Sequence, residues 1–389
     1  MKAPSLLTSA VVLGSRSPAL VGAWSPPSQR SRGCGAAPLR SSTLDAETLS
    51  RLEHLVADLR VDDGEARQEA DADDAAASPG RGARIPMSPA AAGAAHGMPW
   101  TTTAGRSEEA DPLLYMPFWE WQHDFMTSSL TNLHPIACAS AARPDLDVSF
   151  NENKDKRARI VNQCYASDEY RKIRMTYYDA GDAVQVFNSV WYPDCAYDLP
   201  VLGIDLLSFN RKKYLAIVDF QPLHDEKAEG GTEHAAAFEH LLAPIRDRHA
   251  RLKGKMSSRF YDETQFFSKE MLFARFEDGA VVTEELFPAF QDYVRTHLGL
   301  VRDTAPATDP ADVRRVFDRH RAYDTYSAER DPAAGLFDAM FGQEWAEDFI
   351  HGFLFSLSER TEGGLTTTPP VFGGPPPRGG HSNPSPQSR

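Results

Sequence analysis

The sequence predicts an α+β protein: a three-layer α/β/α sandwich with a central antiparallel sheet flanked by helices. Three observations predict it. Runs rich in aromatic and β-branched residues occupy Arg171–Tyr178, Val184–Tyr192, Val201–Phe209 and Tyr214–Phe220. The links between them (DAGD, PDCAYDLP and NRKK) are turn-type segments too short for helical crossovers, so the strands pair as an antiparallel meander. Finally, neither side of Val201–Phe209 is polar throughout. Val201, Gly203, Asp205 and Leu207 fall on one side, Leu202, Ile204, Leu206 and Ser208 on the other. A half-solvated strand shows a polar side, so both faces of this sheet are covered.

The elements follow in order. Residues 1–44 hold no acidic side chain and five basic ones, Lys2, Arg16, Arg30, Arg32 and Arg40. An apolar stretch from Ser5 to Val21 precedes a Ser/Arg-rich segment, which reads as targeting sequence; its two-part layout resembles the signal-plus-transit leaders of algae with complex plastids. Within 45–110, Leu49, Leu52, Leu55, Val56 and Leu59 are spaced for one short helix, and an acidic then Ala/Gly/Pro-rich linker follows. The folded unit is 111–360. Its first helix is expected over Leu113–Leu133, with Phe118, Trp121, Phe125 and Leu130 on the apolar side. After the four strands the pattern is mostly helical from Glu233, with one strand-like piece near Met271–Phe276. Residues 361–389 are Pro/Gly/Ser-rich and unable to pack.

Composition excludes several functions. The chain carries 55 acidic against 41 basic residues, net −14, the wrong sign for an unassisted nucleic-acid binder. No apolar run approaches the roughly 18 residues a spanning helix needs. Four cysteines without a CxxC pair exclude a disulfide scaffold and a zinc knuckle. There is no GxGxxG, GxxxxGK[ST], GxSxG or HExxH. The twelve histidines form no ligand-spaced pair in sequence, so neither a metal nor a bound cofactor is expected. Redox chemistry would then need an external electron source.

Against that background a few residues stand out. Asp205 lies mid-strand among Ile204, Leu206 and Leu207, where a carboxylate loses hydration and must be paired, bonded or protonated. Protonated, it is a proton donor near neutral pH; bonded to a loop at a strand end, it is structural. Asp219 poses the same question nearer a strand end, where the structural reading is favoured. Asn188 lies mid-strand beside Val186 and Val190, and its amide needs partners or a polar ligand. Asp331 before Pro332 is expected to N-cap a helix running through Leu336, Met340, Phe341, Trp345, Phe349 and Phe353. Arg246–Arg259 holds six basic residues against one acid. Smaller clusters sit at Lys154–Arg159, Arg171–Arg174 and Arg211–Lys213. Such clusters are usually solvated faces, but they also suit an acidic partner or a substrate carboxylate.

The block KIRMTYYDAGDAVQVFNSVWYPDCAYDLPVLGIDLLSFNRKKYLAIVDFQPLH, Lys172 to His224, strongly resembles the ferredoxin-dependent bilin reductases. So do SSRFYDETQFFSKEMLFARF (Ser257–Phe276) and AERDPAAGLFDAMFGQEWAEDFIHGFLF (Ala328–Phe355), and YDLPxxGxD (Tyr197–Asp205) is the family's pattern. The resemblance implies an α/β/α sandwich with the bilin between the sheet and the C-terminal helices. It implies single-electron transfers from ferredoxin, protons supplied by the protein, and no metal or flavin. Asp205 matches the central proton-donating aspartate, and Asp331 matches a second donor. Asn188 and Pro332 stand where the phycocyanobilin-forming type has histidine and lysine, which argues against that type.

Within the other branch the resemblance leans to A-ring diene reduction of 15,16-dihydrobiliverdin, giving phycoerythrobilin. The alternatives are reduction of biliverdin at its 15,16 bridge, or a non-enzymatic bilin carrier. Under the enzyme reading Arg259, Lys269 and Arg275 are candidates to hold the substrate propionates. Arg246–Arg259 and Arg211–Lys213 are candidates to meet acidic ferredoxin, and an upstream bilin reductase is a candidate source of substrate.

Overall fold

The computed structural model describes residues 97–100, 113–139, 148–224, 231–254 and 265–358, all within the unit Ser42–Arg389. The leader, the short helix and linker before residue 97, the tail from 361 and Arg259 lie outside the described residues. No helix among the described residues is long and apolar enough to cross a membrane.

Eight strands form one antiparallel sheet: β1 His134–Pro135, β2 Phe150–Asn153, β3 Ala158–Ala166, β4 Tyr170–Asp179, β5 Val184–Pro193, β6 Val201–Phe209, β7 Lys213–Gln221 and β8 Leu272–Phe276. Their spatial order is β1-β3-β4-β5-β6-β7-β8, with β2 also paired to β3. The meander expected from the short links is therefore present, each strand within a residue of its expected bounds. The hairpin β6–β7 closes through Asn210 and Arg211, both in the left-handed region (φ +52° and +50°). The Lys212 N–H donates to the Phe209 carbonyl at 3.0 Å, which matches the right-handed twist of the two strands.

Helices cover both faces. They are α1 Met116–Ser129, α2 Gly231–Arg248, α3 Phe287–Asp303, α4 Pro310–Arg330, α5 Ala334–Phe341 and α6 Gln343–Glu347, with π-helical turns at Val282–Leu286 and Asp348–Leu354. One core joins Phe118 and Trp119 of α1, Phe238 and Leu242 of α2, and Phe290 and Tyr293 of α3 to Tyr177, Phe187, Leu202, Ile204, Leu206 and Phe220 of the sheet. The second core joins Tyr323 of α4, Phe337 and Met340 of α5, and Phe349 and Phe353 of the last π turn to Ile160, Tyr178, Val190, Tyr192 and Val201. The three layers are those expected.

Three details differ from expectation. The sheet begins earlier, because β1 to β3 were not foreseen. β3 carries polar Asn162 at its centre, which is possible because the buried amide donates to the Val148 carbonyl at 2.6 Å and accepts from Thr176 Oγ1 at 2.7 Å. The first helix is shorter than Leu113–Leu133, starting at Met116 with Pro117 in its first turn. The late helix is not continuous. Gly342, at φ +90°, ends α5, and the chain resumes as α6 and then a π turn that drives Phe349, Ile350 and Phe353 into the core.

Candidate active site

The antiparallel register sets one polar row across four strands: Asn162 of β3 opposes Thr176 of β4, Thr176 opposes Asn188 of β5, and Asn188 opposes Asp205 of β6. All lie on the face covered by α4, α5 and the last π turn. Asn162 and Thr176 are buried and satisfy each other. Asn188 and Asp205 are only half-buried although they sit in central strands, and so are Val186 and Leu207 beside them. The second core is therefore not sealed over these four side chains.

Asn188 Nδ2 donates to Asp205 Oδ1 at 3.1 Å, and Arg174 Nη1 donates to Asn188 Oδ1 at 2.5 Å. Burial, helped by the charge of Asp331 and opposed by the Asn188 bond and the Arg174 charge, pushes the Asp205 carboxyl up to about 6. An acid poised there holds a proton near neutral pH and can release it. Asp331 follows the last residue of α4; burial raises its carboxyl as well, against the pull of its bond from Ala333 N and of Arg174. Two acids with raised proton affinity thus share one electrostatic environment with one cation.

Asp331 does not N-cap α5 as expected. Its Oδ1 accepts from Ala333 N at 2.8 Å and its carbonyl accepts from Ala334 N at 3.2 Å. The side chain closes a turn through Pro332, and the helix starts only at Ala334. Asp219 is structural, as favoured: fully buried on β7, it accepts from Ser268 N and Oγ, and burial pushes it up to about 7.

The basic candidates fare differently. Lys269 is exposed, and its backbone N–H donates to Glu239 of α2. Arg275 is half-buried on edge strand β8, its guanidinium 5.3 Å from the Phe273 ring. The register through Ile217 and Phe273 puts it on the Asp205 face. Neither forms a hydrogen bond or ion pair with Asp205. The Arg246–Arg259 stretch is not an open basic face where it is described. Arg246 pairs with Glu270 at 2.6 Å, Arg248 with Asp292 at 2.7 Å, and Arg251 with Glu284 and Glu285. Arg211 pairs with Asp182 at 3.0 Å. Acids distant in sequence neutralise what looks basic along the chain. The Arg171–Arg174 cluster is not a solvated face either: Lys172 and Arg174 are buried. Burial lowers Lys172 to about 8, and its Nζ bonds the Phe353 carbonyl and Ser356 Oγ, tying β4 to the last π turn.

Arg174 was missed as a site residue. The available signal was alternation: Lys172 and Arg174 flank Ile173 in a strand whose neighbours point Asn188 and Asp205 to the same side. Histidines scattered in sequence also meet in space. Asp198, His224 and His234 place ligand atoms within 4.8 Å of one another, with Asp198 bonded to Arg319 at 2.6 Å and to His224 at 3.0 Å. No sequence spacing announced this cluster, because its members come from three separate segments.

Residues 126–356 match the family model described as ferredoxin-dependent bilin reductase. The chain belongs to this family. It is 41% identical over 242 residues to a protein of Gloeobacter violaceus named 15,16-dihydrobiliverdin:ferredoxin oxidoreductase, covering 62% of this chain and 95% of that one. A Nostoc punctiforme protein of the same name is 43% identical over 212 residues, covering 54% and 84%. A second Nostoc punctiforme protein, named phycoerythrobilin:ferredoxin oxidoreductase, is 31% identical over 256 residues, covering 65% and 97%. Among solved structures, tomato phytochromobilin synthase in complex with biliverdin is similar at TM-score 0.52 and 23% identity, covering 64% of this chain and 86% of that one. That likeness concerns the fold. As a bilin reductase the chain is an enzyme, and its reduction of bilins depends on ferredoxin.

Proposed function

We propose that this reductase binds an open-chain tetrapyrrole against the Val186–Asn188–Asp205–Leu207 face and that Asp205 protonates it. Electrons arrive singly from ferredoxin. One reduction takes two electrons and two protons, so the first proton leaves Asp205 and the second comes from Asp331 or from Asp205 recharged by water. Protonation favours electron entry, because a cationic bilin accepts an electron more readily than a neutral one. The carboxylate left behind then faces the cation in a site poor in water. The observation that carries this reading is the carboxyl of Asp205, raised to about 6 and partly accessible at the centre of an otherwise packed sheet.

For the bond reduced, identity supports the 15,16 bridge of biliverdin: 41% and 43% against 31% for the phycoerythrobilin-named relative. The A-ring diene of 15,16-dihydrobiliverdin is the second reading, favoured by the strand blocks around Asn188 and Asp205 and by the second acid, Asp331. Mixing the protein with ferredoxin, an electron supply and either bilin under low oxygen tests both. Expected is a progressive spectral change with biliverdin that stops at the dihydro product. Conversion of 15,16-dihydrobiliverdin instead selects the A-ring reaction. A shifted but static spectrum with both bilins overturns the enzyme reading in favour of a carrier.

A further inference from the structure

Arg174 is 2% exposed, yet among the described residues no carboxylate lies within 4.0 Å of its guanidinium. A buried cation without an ion-pair partner is costly, and natural sites normally supply one. Two of the contacts it does make, to Asn188 Oδ1 and, at 5.4 Å, to the Phe355 ring, carry no formal charge. Its Nε–H is buried with no acceptor among the described residues. An arginine placed only to hold β4 against the helices would have its donors satisfied.

Its position explains the anomaly. A guanidinium only donates, so Asn188 must turn Oδ1 toward Arg174 and its NH2 toward Asp205. That NH2 favours the ionised form of Asp205 and occupies Oδ1, leaving Oδ2 for the proton. While Asp205 is protonated, the Asn188 relay offers Arg174 no counter-charge, and Asp331 acts on it only through space, beyond ion-pair distance. Once the proton has left, Arg174 has one, relayed through the Asn188 amide. The site is thus complementary to the state after proton transfer rather than the state before it.

We propose that Arg174, acting through Asn188, is the counter-charge for the Asp205 carboxylate formed when the bilin is protonated: a positioning residue that sets how readily the acid gives up its proton. This rests on the reading of Asp205 as the acid. In the step, the Asp205 O–H bond breaks and a bond from that hydrogen to the bilin forms. The electron comes from ferredoxin, and solvent restores the acid. The other groups that bear on Asp205 and Arg174 are Asp331 from the α4–α5 junction, Tyr323 of α4, Tyr115 behind the sheet, Cys164 of β3, Tyr192 of β5, and Lys172, two residues before Arg174 on β4. Lys172 is the one cation among them, and its Nζ is turned to the Phe353 carbonyl and Ser356 Oγ.

The experiment is the pH profile of bilin reduction by the full chain at saturating ferredoxin, for wild type, Arg174→Gln, Arg174→Lys and Asn188→Ser. An acid catalyst loses activity as pH rises through its pKa. Removing a neighbouring positive charge raises that pKa, by about one to three units for a close pair. Expected is a falling limb displaced about one unit upward in Arg174→Gln, with kcat down at least about tenfold and KM for bilin within about threefold. Lysine should return the limb most of the way. Asn188→Ser, which cuts the relay and keeps the cation, should displace it in the same direction, and it carries the test if Arg174→Gln does not fold. A limb that stays in place in the folded variants, or a lysine variant no better than glutamine, overturns the inference. Asp205→Asn separates this failure from the other. If it abolishes the limb while Arg174→Gln leaves it unmoved, only the role of Arg174 falls; if it keeps the wild-type rate, the reading of Asp205 falls.

Discussion

One strand, β6, presents two different interiors. Its even residues Leu202, Ile204 and Leu206 are at most 1% exposed, and they meet an aromatic layer in which Phe118 lies 5.2 Å from Phe290 and Phe187 lies 6.1 Å from it. Its odd residues include Gly203 and Asp205, which meet Gln221, Asn188 and the open part of the second core. The first face is closed, and the few polar groups on it, such as Ser189 and Gln122 bonded to each other at 2.8 Å, are buried. The second holds the raised acids Asp205 and Asp331 beside a buried arginine with no ion pair among the described residues, an arrangement that costs stability and is common where a charge changes during a reaction. On the proposed function the first face only packs, while the second both packs and carries the chemistry.

That division can be broken experimentally. The largest expected effect is on turnover: Asp205→Asn keeps the shape of the side chain and removes its proton, so bilin reduction should fall about 10²- to 10⁴-fold, the range for a lost general acid. Single-turnover spectra at pH 6 are the measurement, and an unchanged rate places the chemistry elsewhere. On the closed face, Phe290→Ala removes a fully buried ring from contact with Phe118, Trp121 and Phe187. It should cost about 3–5 kcal/mol in chemical denaturation, while the pH limb of residual activity stays put. A moved limb means that the two faces are coupled.

The third effect is smaller and has a definite sign. Asp205 ionises near 3.8 in the unfolded chain and near 6 in the folded protein. The folded state therefore binds this proton more tightly. Stability falls as pH rises from about 4 to about 6 and stays lower above that, by at most about 3 kcal/mol. Asp205→Asn does not titrate, so its melting temperature relative to wild type should be higher at pH 8 than at pH 4. Comparing the two pH values cancels whatever the new amide does to Asn188. Equal differences at both would mean that the carboxyl is well solvated.

How far this was legible in the sequence follows the same split. The meander could be read because turn chemistry and strand length are local, and Asp205 because a carboxylate inside an apolar run is anomalous by itself. Asn188 and Asp205 were singled out separately; only register makes them neighbours. β3 was illegible because Asn162 breaks its apolar run, and the partners that excuse it, Val148 and Thr176, are distant in sequence. The basic stretch around Arg251 misled because its neutralising acids sit on other elements. Arg174 was hidden inside what reads as an ordinary charged cluster. Charge along a chain is a poor guide to charge in space.

The smallest effect probes how the open face is tied to its helices. A Cβ at Gly203 would lie 2.5 Å from Gln221 Oε1 and 2.8 Å from its Cδ. The same Oε1 accepts from the Tyr323 hydroxyl at 2.5 Å, joining β7 to α4. Gly203→Ala must push the Gln221 amide aside, and the hydrogen bond goes with it, at a cost of about 0.5–1.5 kcal/mol. Tyr323→Phe removes the same bond directly. If the bond is the whole of what the extra methyl disturbs, the double variant should cost less than the sum of the singles, because without Tyr323 holding it Gln221 is free to move. Strict additivity would mean that the methyl strains the β6–β7 backbone instead, and that Gly203 is required by the sheet rather than by its link to α4.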